Sequence, residues 1–318
     1  MENALPHTAT YTIAFYNVEN LFSSHHPTTG EARSYLPFSE RPWSQKRYFK
    51  KLTNLGFAIS KIGVNQTNNL PSIIGLAEVE NEQVVTDLLN TPALKNTPYN
   101  CIHFNSEDTR GMDVAFVYNQ ADFTVTKWES VPVKLPLVAQ SKRNTRDILL
   151  VSGLLKGQPI SILVNHWPSR RDGAPQTEPN RMAAAKSVCH IINRIKETHR
   201  HPFVIVMGDF NDDPHCKSMY ALLEAHHLHN PFKLLYSYRQ GSYYNQKRWH
   251  LFDQVLLSPA FLTGSESSLK FKEAGIFNAA FLKAEHGPHK KAPLPTYSGY
   301  KYMGGYSDHF PVFIKLNL

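Results

Sequence analysis

Residues 202–214 read PFVIVMGDFNDDP, an apolar run that breaks at Gly208 and delivers an acid, Asp209, and an amide, Asn211. The β-branched and aromatic stretch from Pro202 to Met207 is short and dense enough to predict a buried strand, so Asp209 and Asn211 fall where that strand ends. The same construction recurs along the chain. Asn17 and Asn20 follow TIAFY, Glu78 and Glu80 follow IIGLA, Asn165 and His166 follow ISILV, and Asp308 and His309 precede the last apolar run. Strand ends of α/β sheets are where sites are assembled, so the recurrence predicts one polar cluster at a common sheet edge.

Working outward, further strands are expected at Tyr11–Tyr16, Ser72–Ala77, Asp113–Tyr118, Asp147–Leu155, Ile160–Asn165, Asp253–Leu257 and Pro311–Leu316. Helical patterns lie between some of them. Tyr48, Leu52, Leu55, Ile59 and Ile62 alternate steps of four and three, with Ser44 placed as N-cap and Gly63 just past the end. Met182, Val188, Ile191, Ile192 and Ile195 share a face after Pro179, which suits a first turn. Shorter helices are expected at Gln83–Asn90 and Lys217–Ala225. Several strands follow one another with only turns between, which favours mixed sheets with helices outside over a parallel barrel. No repeat or linker divides the chain, so a single domain, 1–318, is expected. The longer loops, 23–42, 126–145, 231–251 and 282–305, are of a length usually reserved for function.

Composition bounds the rest. With 318 residues, 42% hydrophobic and 19% charged, the chain can bury a large core and is no disordered polymer. No apolar run approaches the roughly 18–20 residues of a bilayer span, so no membrane span is expected. The start, MENALPHTATYT, lacks a basic segment followed by an apolar one, so no signal peptide is expected in this chain, and its compartment stays open. Cys101, Cys189 and Cys216 are far apart and without a CxxC, arguing against disulfides or a thiolate site and for small buried filler. A net charge of +8 suits a polyanionic partner and equally suits a merely soluble basic protein.

Carboxylates and amides are hard oxygen ligands, matched to Mg²⁺ or Mn²⁺, whereas zinc sites favour close-spaced His or Cys. An acid for a metal, a base for water and donors for phosphoryl oxygens are together the inventory of phosphoester hydrolysis.

The segments NVENLF (17–22), GLAEVEN (75–81), NHWPSRR (165–171), GDFNDDP (208–214), FDQVLLS (252–258) and YSDHFPV (306–312) resemble the motif series of the endonuclease/exonuclease/phosphatase superfamily, the DNase I-like fold. They occur in the family's order, and RGMDVAFVYN (110–119) and GGYSDH (304–309) are similar to its bacterial members. The resemblance implies an α/β fold of the α+β type, a four-layer α/β/β/α sandwich of two mixed β-sheets. It implies Glu78 as principal Mg²⁺ (or Mn²⁺) ligand, with Asn17 and Asp308 helping to hold the metal or its waters. Asp209 and Asn211 match the pair that orients the attacking water and holds a phosphate oxygen. His309 matches the catalytic histidine, Asp253 the carboxylate that orients it, and His166 a second histidine at the scissile phosphate. Arg146 and Asn165 are implied to contact substrate.

Each position has a plainer reading. Glu78 or Glu80 could cap a helix, Asp209 and Asn211 could close an Asx turn, and Arg146 could be a solvated charge. Arg170, Arg171 and Arg181 either add positive field near His166 or are exposed charges. The aromatic and basic segment 236–250 either binds nucleic acid or forms a hairpin packing beside Asp253, and 289–302 is either a substrate-facing basic loop or a solvated one. The reading adopted is a monomeric, divalent-metal-dependent phosphodiesterase cutting nucleic acid, most simply a nuclease. The alternatives are a phosphatase or phosphodiesterase acting on inositol phosphates, sphingomyelin-like lipids or another small phosphoester, and a non-catalytic nucleic-acid-binding module.

Overall fold

The computed structural model describes residues 9–24, 40–67, 69–136, 144–263, 268–287 and 289–318. In chain order the strands are β1 (Thr10–Leu21), β2 (Ile73–Val79), β3 (Tyr99–His103), β4 (Asp113–Asn119), β5 (Phe123–Val131), β6 (Ile148–Leu155), β7 (Gln158–His166), β8 (Val204–Asp209), β9 (Tyr243–Asn245), β10 (Arg248–His250), β11 (Asp253–Leu257), β12 (Lys270–Ile276), β13 (Tyr297–Ser298), β14 (Lys301–Tyr302) and β15 (Val312–Asn317). The helices are α1 (Gln45–Ile59), α2 (Val64–Thr67), α3 (Glu82–Leu89), α4 (Ala174–Thr198), α5 (Lys217–His226) and α6 (Ala260–Thr263).

Two large sheets form, ordered β12-β15-β1-β2-β4-β3 and β11-β8-β7-β6-β5. Each contains one parallel pair among antiparallel neighbours, β1 with β2 and β7 with β8. A parallel pair needs a crossover, and α1 and α4 are those crossovers.

Alternation along the central strands sorts the side chains into layers. Ile13, Phe15, Ile73, Phe116, Val164, Ile205, Met207 and Val255 meet between the sheets. Ala14, Tyr16, Ile74 and Leu76 face outward onto Leu52, Leu55 and Ile59 of α1 and Val84, Val85 and Leu88 of α3. Leu163, Val206 and Leu256 face Val188, Ile191 and Ile192 of α4 and Leu222 of α5. The α/β/β/α sandwich follows, because a strand apolar on both faces is stable only when both are covered.

Every expected strand is present, within a few residues of its expected bounds. The strands that escape the sequence reading are β3, β5 and β12 and the small hairpins, where exposed or half-buried residues interrupt any apolar run. Accordingly the expected loop at 126–145 begins as strand β5, and those at 231–251 and 282–305 carry the hairpins β9–β10 and β13–β14. Residues 25–39 and 137–143, the middle of two expected loops, lie outside the described residues.

Helix α1 starts on its expected cap, Ser44 accepting from the Arg47 N–H, while Ile62 lies in the turn beyond it. Helix α4 begins at Ala174, earlier than expected, so Pro175 occupies the first turn and Pro179 lies inside the helix. The cysteines are unbridged and only partly buried. No helix among the described residues is long and apolar enough to cross a membrane.

Candidate active site

Parallel pairing sends the C-terminal ends of β1 and β2 to one edge, and those of β7 and β8 likewise. Antiparallel neighbours return to the same edge at their N-terminal ends: Asp253, the first residue of β11, pairs with Asp209, the last of β8. Strand β15 pairs with β1 through Val312 and Phe15, which brings Asp308 and His309 alongside the end of β1. Since β1 and β2 pack on β8 across the sandwich, both edges share one rim.

At that rim the backbone departs from ladder geometry. Glu19, Asn20, Glu78 and Asn211 have φ of 51°, 47°, 63° and 50°, a left-handed conformation that costs non-glycine residues of order 1–3 kcal/mol each. Glu78 is the extra residue of a bulge between Ala77 and Val79, and a bulge re-aims a side chain that the pleat would otherwise direct elsewhere.

Asp209 is the hub. Its Oδ1 accepts from the Asn211 N–H at 2.9 Å, the expected Asx turn, and its Oδ2 accepts from Asn17 Nδ2 at 3.0 Å. His166 Nε2 lies 3.6 Å and His309 Nε2 3.9 Å from that same Oδ2. His309 Nδ1 donates to Asp253 Oδ2 at 2.6 Å, and Asp253 is fully buried. Burial disfavours the His309 cation, but Asp253, Asp308 and Asp209 together raise its pKa well above the ordinary value. Burial and the Asp253 charge push the Asp209 carboxyl up to about 6. His166 goes the other way: burial, then Arg146, holds it neutral.

Glu78 does not cap a helix, because Asn81 does so for α3 by accepting from the Val84 N–H. Instead Glu78 Oε2 accepts from the Asn20 N–H at 2.9 Å, and its Oε1 lies 3.6 Å from Arg110 Nη2 and 4.0 Å from His166 Nε2. Burial works against its charge, but Arg110, His309 and the Asn20 N–H hold it well below the usual carboxylate range. Asp308 is raised to about 7 by burial and by the negative charges of Glu19 and Glu78, a crowding that a divalent cation would relieve. Glu80 accepts instead from the Ser23 N–H at 2.6 Å.

Glu78, His166, Asp209, Asn211, Asp308 and His309 all line one cleft of about 510 Å³. Of the other residues singled out in the sequence, Asp253 lies directly behind His309. Asn17 stands behind Asp209: its Oδ1 accepts from the Glu19 N–H at 3.0 Å and its amide N donates to Asp209, so it braces that carboxylate. Asn165 is fully buried, its amide N donating to the Leu163 and Met207 carbonyls and its Oδ1 accepting from Trp167, so it does not reach the cleft as expected. Arg146 is buried with its Nε 3.4 Å from Asp108 Oδ2 and does not line the cleft. Arg181 is neither exposed nor a source of free field: it is buried, its Nε 2.8 Å from Asp212. Arg170 lines the cleft and donates to the Asn211 carbonyl at 2.7 Å and to Asp212. The segment 236–250 packs beside Asp253 as a hairpin, and residues 289–302 do not line the cleft.

Two participants escaped the sequence reading. Arg110 sits beside Glu78, and the one signal for it was its place in RGMDVAFVYN. Tyr243 stacks on His309, with ring centroids 4.6 Å apart.

A cation has two conceivable seats here. Asp209, Asp253 and His309 place one ligand atom each within 4.8 Å of one another, but the Asp253–His309 hydrogen bond already uses the facing atoms. Glu78 and Asp308 line the same cleft, and the Glu78 charge is among those that raise Asp308, so a hard cation there would relieve Asp308.

Among curated proteins, none matches this chain. Solved structures do match in fold. A mannosyl-6-phosphatase of Bacteroides thetaiotaomicron is 16% identical with a TM-score of 0.57, over 96% of this chain and 99% of that one. The human Nocturnin catalytic domain with bound sulfate is 16% identical with a TM-score of 0.55, over 97% and 94%. A humanized Danio rerio TDP2 is 14% identical with a TM-score of 0.58, over 97% and 99%. The family model described as Endonuclease/Exonuclease/phosphatase family matches residues 12–318, which include every strand-end residue from Asn17 to His309, and this chain belongs to that family.

Proposed function

We propose that this chain, acting as one domain, is a divalent-metal-dependent phosphodiesterase that hydrolyses nucleic acid by in-line attack of water on phosphorus. The observation that carries the reading is the Asp253–His309 pair, its Nε2 aimed at Asp209 within the cleft that also holds Glu78.

Mg²⁺ or Mn²⁺ held by Glu78 and Asp308 would supply positive charge at the phosphoryl oxygens. The protein's own groups do the rest. Asp209, aimed by Asn17 and by the Asn211 N–H, accepts the proton of the attacking water. His309, kept cationic by Asp253, donates to a phosphoryl oxygen and stabilises the charge that gathers there. Neutral His166 and the Asn211 amide hydrogen-bond the remaining oxygens, with His166 on the side of the leaving oxygen. Arg110 keeps Glu78 ionised and adds to the field. The net charge of +8 supports a polyanionic substrate.

A small phosphoester is the second reading. It draws on the cleft's volume, which falls within the range of roughly 300–1,000 Å³ typical of small-molecule pockets. One fold neighbour is itself named a mannosyl-6-phosphatase.

The test is a panel of plasmid, single-stranded DNA, RNA and inositol phosphate, each with Mg²⁺, Mn²⁺, Ca²⁺ or chelator. Metal-stimulated cleavage of a nucleic acid is expected, with a KM that rises steeply with salt. His309→Ala and Asp209→Ala should fold and lose about 10²- to 10⁴-fold in kcat. Near wild-type turnover in either variant refutes the assignment, and DNA retention without metal-stimulated cleavage would leave a binding module.

A further inference from the structure

We infer that the β9–β10 hairpin is the positioning element of His309, with Tyr243 setting the plane of the imidazole and Ser242 tying together the two backbone segments that carry His309 and Asp253. This rests on the proposal that His309 acts on the phosphoester.

A single hydrogen bond fixes one atom of an imidazole and leaves the ring free to pivot about it. Asp253 holds Nδ1 in this way, yet Nε2 must point across the cleft to Asp209, 3.9 Å away. The missing constraint is a plane, and Tyr243 supplies it, stacked at 4.6 Å with 27° between the rings. Tyr243 is itself stacked on Phe252 at 5.4 Å and 26°, and Arg170 lies over the Phe252 ring at 4.8 Å. The tyrosine is therefore braced, not merely adjacent. Aromatic pairs of this kind contribute about 0.5–1.5 kcal/mol beyond area burial, enough to favour one ring orientation roughly 2- to 12-fold.

The backbone carries the same message. Tyr243 and His309 form an isolated antiparallel bridge, and the Phe310 N–H donates to the Ser242 carbonyl at 2.7 Å. The Ser242 hydroxyl accepts from the Asp253 N–H at 3.2 Å, and the Ser242 N–H donates to the His250 carbonyl at 2.9 Å. One fully buried serine thus touches the backbone beside His309 and the backbone of Asp253. On this account Tyr243 acts through His309 and needs no bond to substrate.

The experiment compares Tyr243→Leu, which removes the stack, with Tyr243→Phe, which keeps it, and with Ser242→Ala. Proton NMR of the His309 Nδ1–H in the Asp253 hydrogen bond is read beside kcat and KM. In the wild type and in Tyr243→Phe that proton should be a resolved, slowly exchanging downfield resonance. In Tyr243→Leu it should broaden or vanish, with kcat down about 2- to 12-fold, the orientation preference that the stack supplies, and KM within about 2-fold. Ser242→Ala, which leaves the ring stack in place, should accelerate the exchange in the same sense.

An unchanged resonance and kcat in Tyr243→Leu overturn the inference. So does a Tyr243→Phe variant as impaired as Tyr243→Leu, which would move the role to the phenol hydroxyl. Should His309→Ala keep its turnover, the proposed chemistry fails, while the NMR readout still decides whether Tyr243 orients the ring.

Discussion

Replacing Asp308 by asparagine should make the metal-free protein more stable. Burial, Glu19 and Glu78 lift the Asp308 carboxyl from its ordinary 3.8 to about 7. Between those values the folded chain keeps a proton that the unfolded chain has lost, so stability falls as pH rises across the window, and the full cost is present above pH 7. About 3 pH units at 1.36 kcal/mol each give roughly 4 kcal/mol. Asp308 lines the cleft and meets solvent there, so about 2–4 kcal/mol is the expected gain of Asp308→Asn at pH 8 with chelator. With an unfolding entropy of about 2.1 cal/mol/K per residue over 318 residues, that is a rise in Tm of about 3–6 °C. Calorimetry at pH 4, 6 and 8 should show the gain vanish at pH 4. Adding millimolar Mg²⁺ at pH 8 should then raise the wild-type Tm more than that of the variant, because the crowded charge is what the cation relieves. A destabilised Asp308→Asn at pH 8 without metal, or a difference independent of pH, would refute the electrostatic reasoning.

Lys51 is almost fully buried, its Nζ hydrogen-bonded to Thr296 and 3.6 Å from Glu19. Lys51→Met leaves the buried Glu19 carboxylate with its Thr296 N–H bond but no cation and should cost about 3–5 kcal/mol by urea unfolding, most of it recovered in Lys51→Met/Glu19→Gln. Asn81→Ala removes the cap of α3 and should cost about 1 kcal/mol in the same assay with kcat unaltered, since Asn81 does not line the cleft.

The sequence makes the site's rim legible because of how strands report themselves. A central strand of a covered sheet is apolar on both faces, so its end is marked by the first polar residue, as at Asn17, Glu78 and Asp209, with His166 one residue beyond the first, Asn165. What it hides are elements that bury only one face or none. Strand β12, half-buried along most of its length, offers no apolar run, and hairpin β9–β10 reads as a basic aromatic loop. Tyr243 was visible there only as one of several rings, because a stack on His309 depends on a contact between residues 66 positions apart in the chain, which no local pattern encodes.

Arginines show where residue type stops being informative. Arg110 and Arg146 each sit a few residues ahead of a strand, β4 and β6, that runs antiparallel to a site-bearing neighbour, β2 and β7. Both are therefore delivered to the same rim, and nothing in the sequence ranks them. Asp108 separates their fates. It lies 3.4 Å from Arg146, which is buried, while the guanidinium of Arg110 reaches Asn20 at 3.2 Å and stands beside Glu78 in the cleft. Both guanidiniums sit in ion pairs, Arg146 with Asp108 and Arg110 with Glu78, but only Arg110 lines the cleft, while the buried Nε and Nη2 of Arg146 have no hydrogen-bond partner. Arg146 still acts at a distance, since after burial its charge is what most depresses His166. The resemblance implies a substrate contact for Arg146 and says nothing of Arg110; the charges fall differently, with Arg110 beside Glu78 lowering the pKa of that carboxyl, and Arg146, from behind, lowering that of His166.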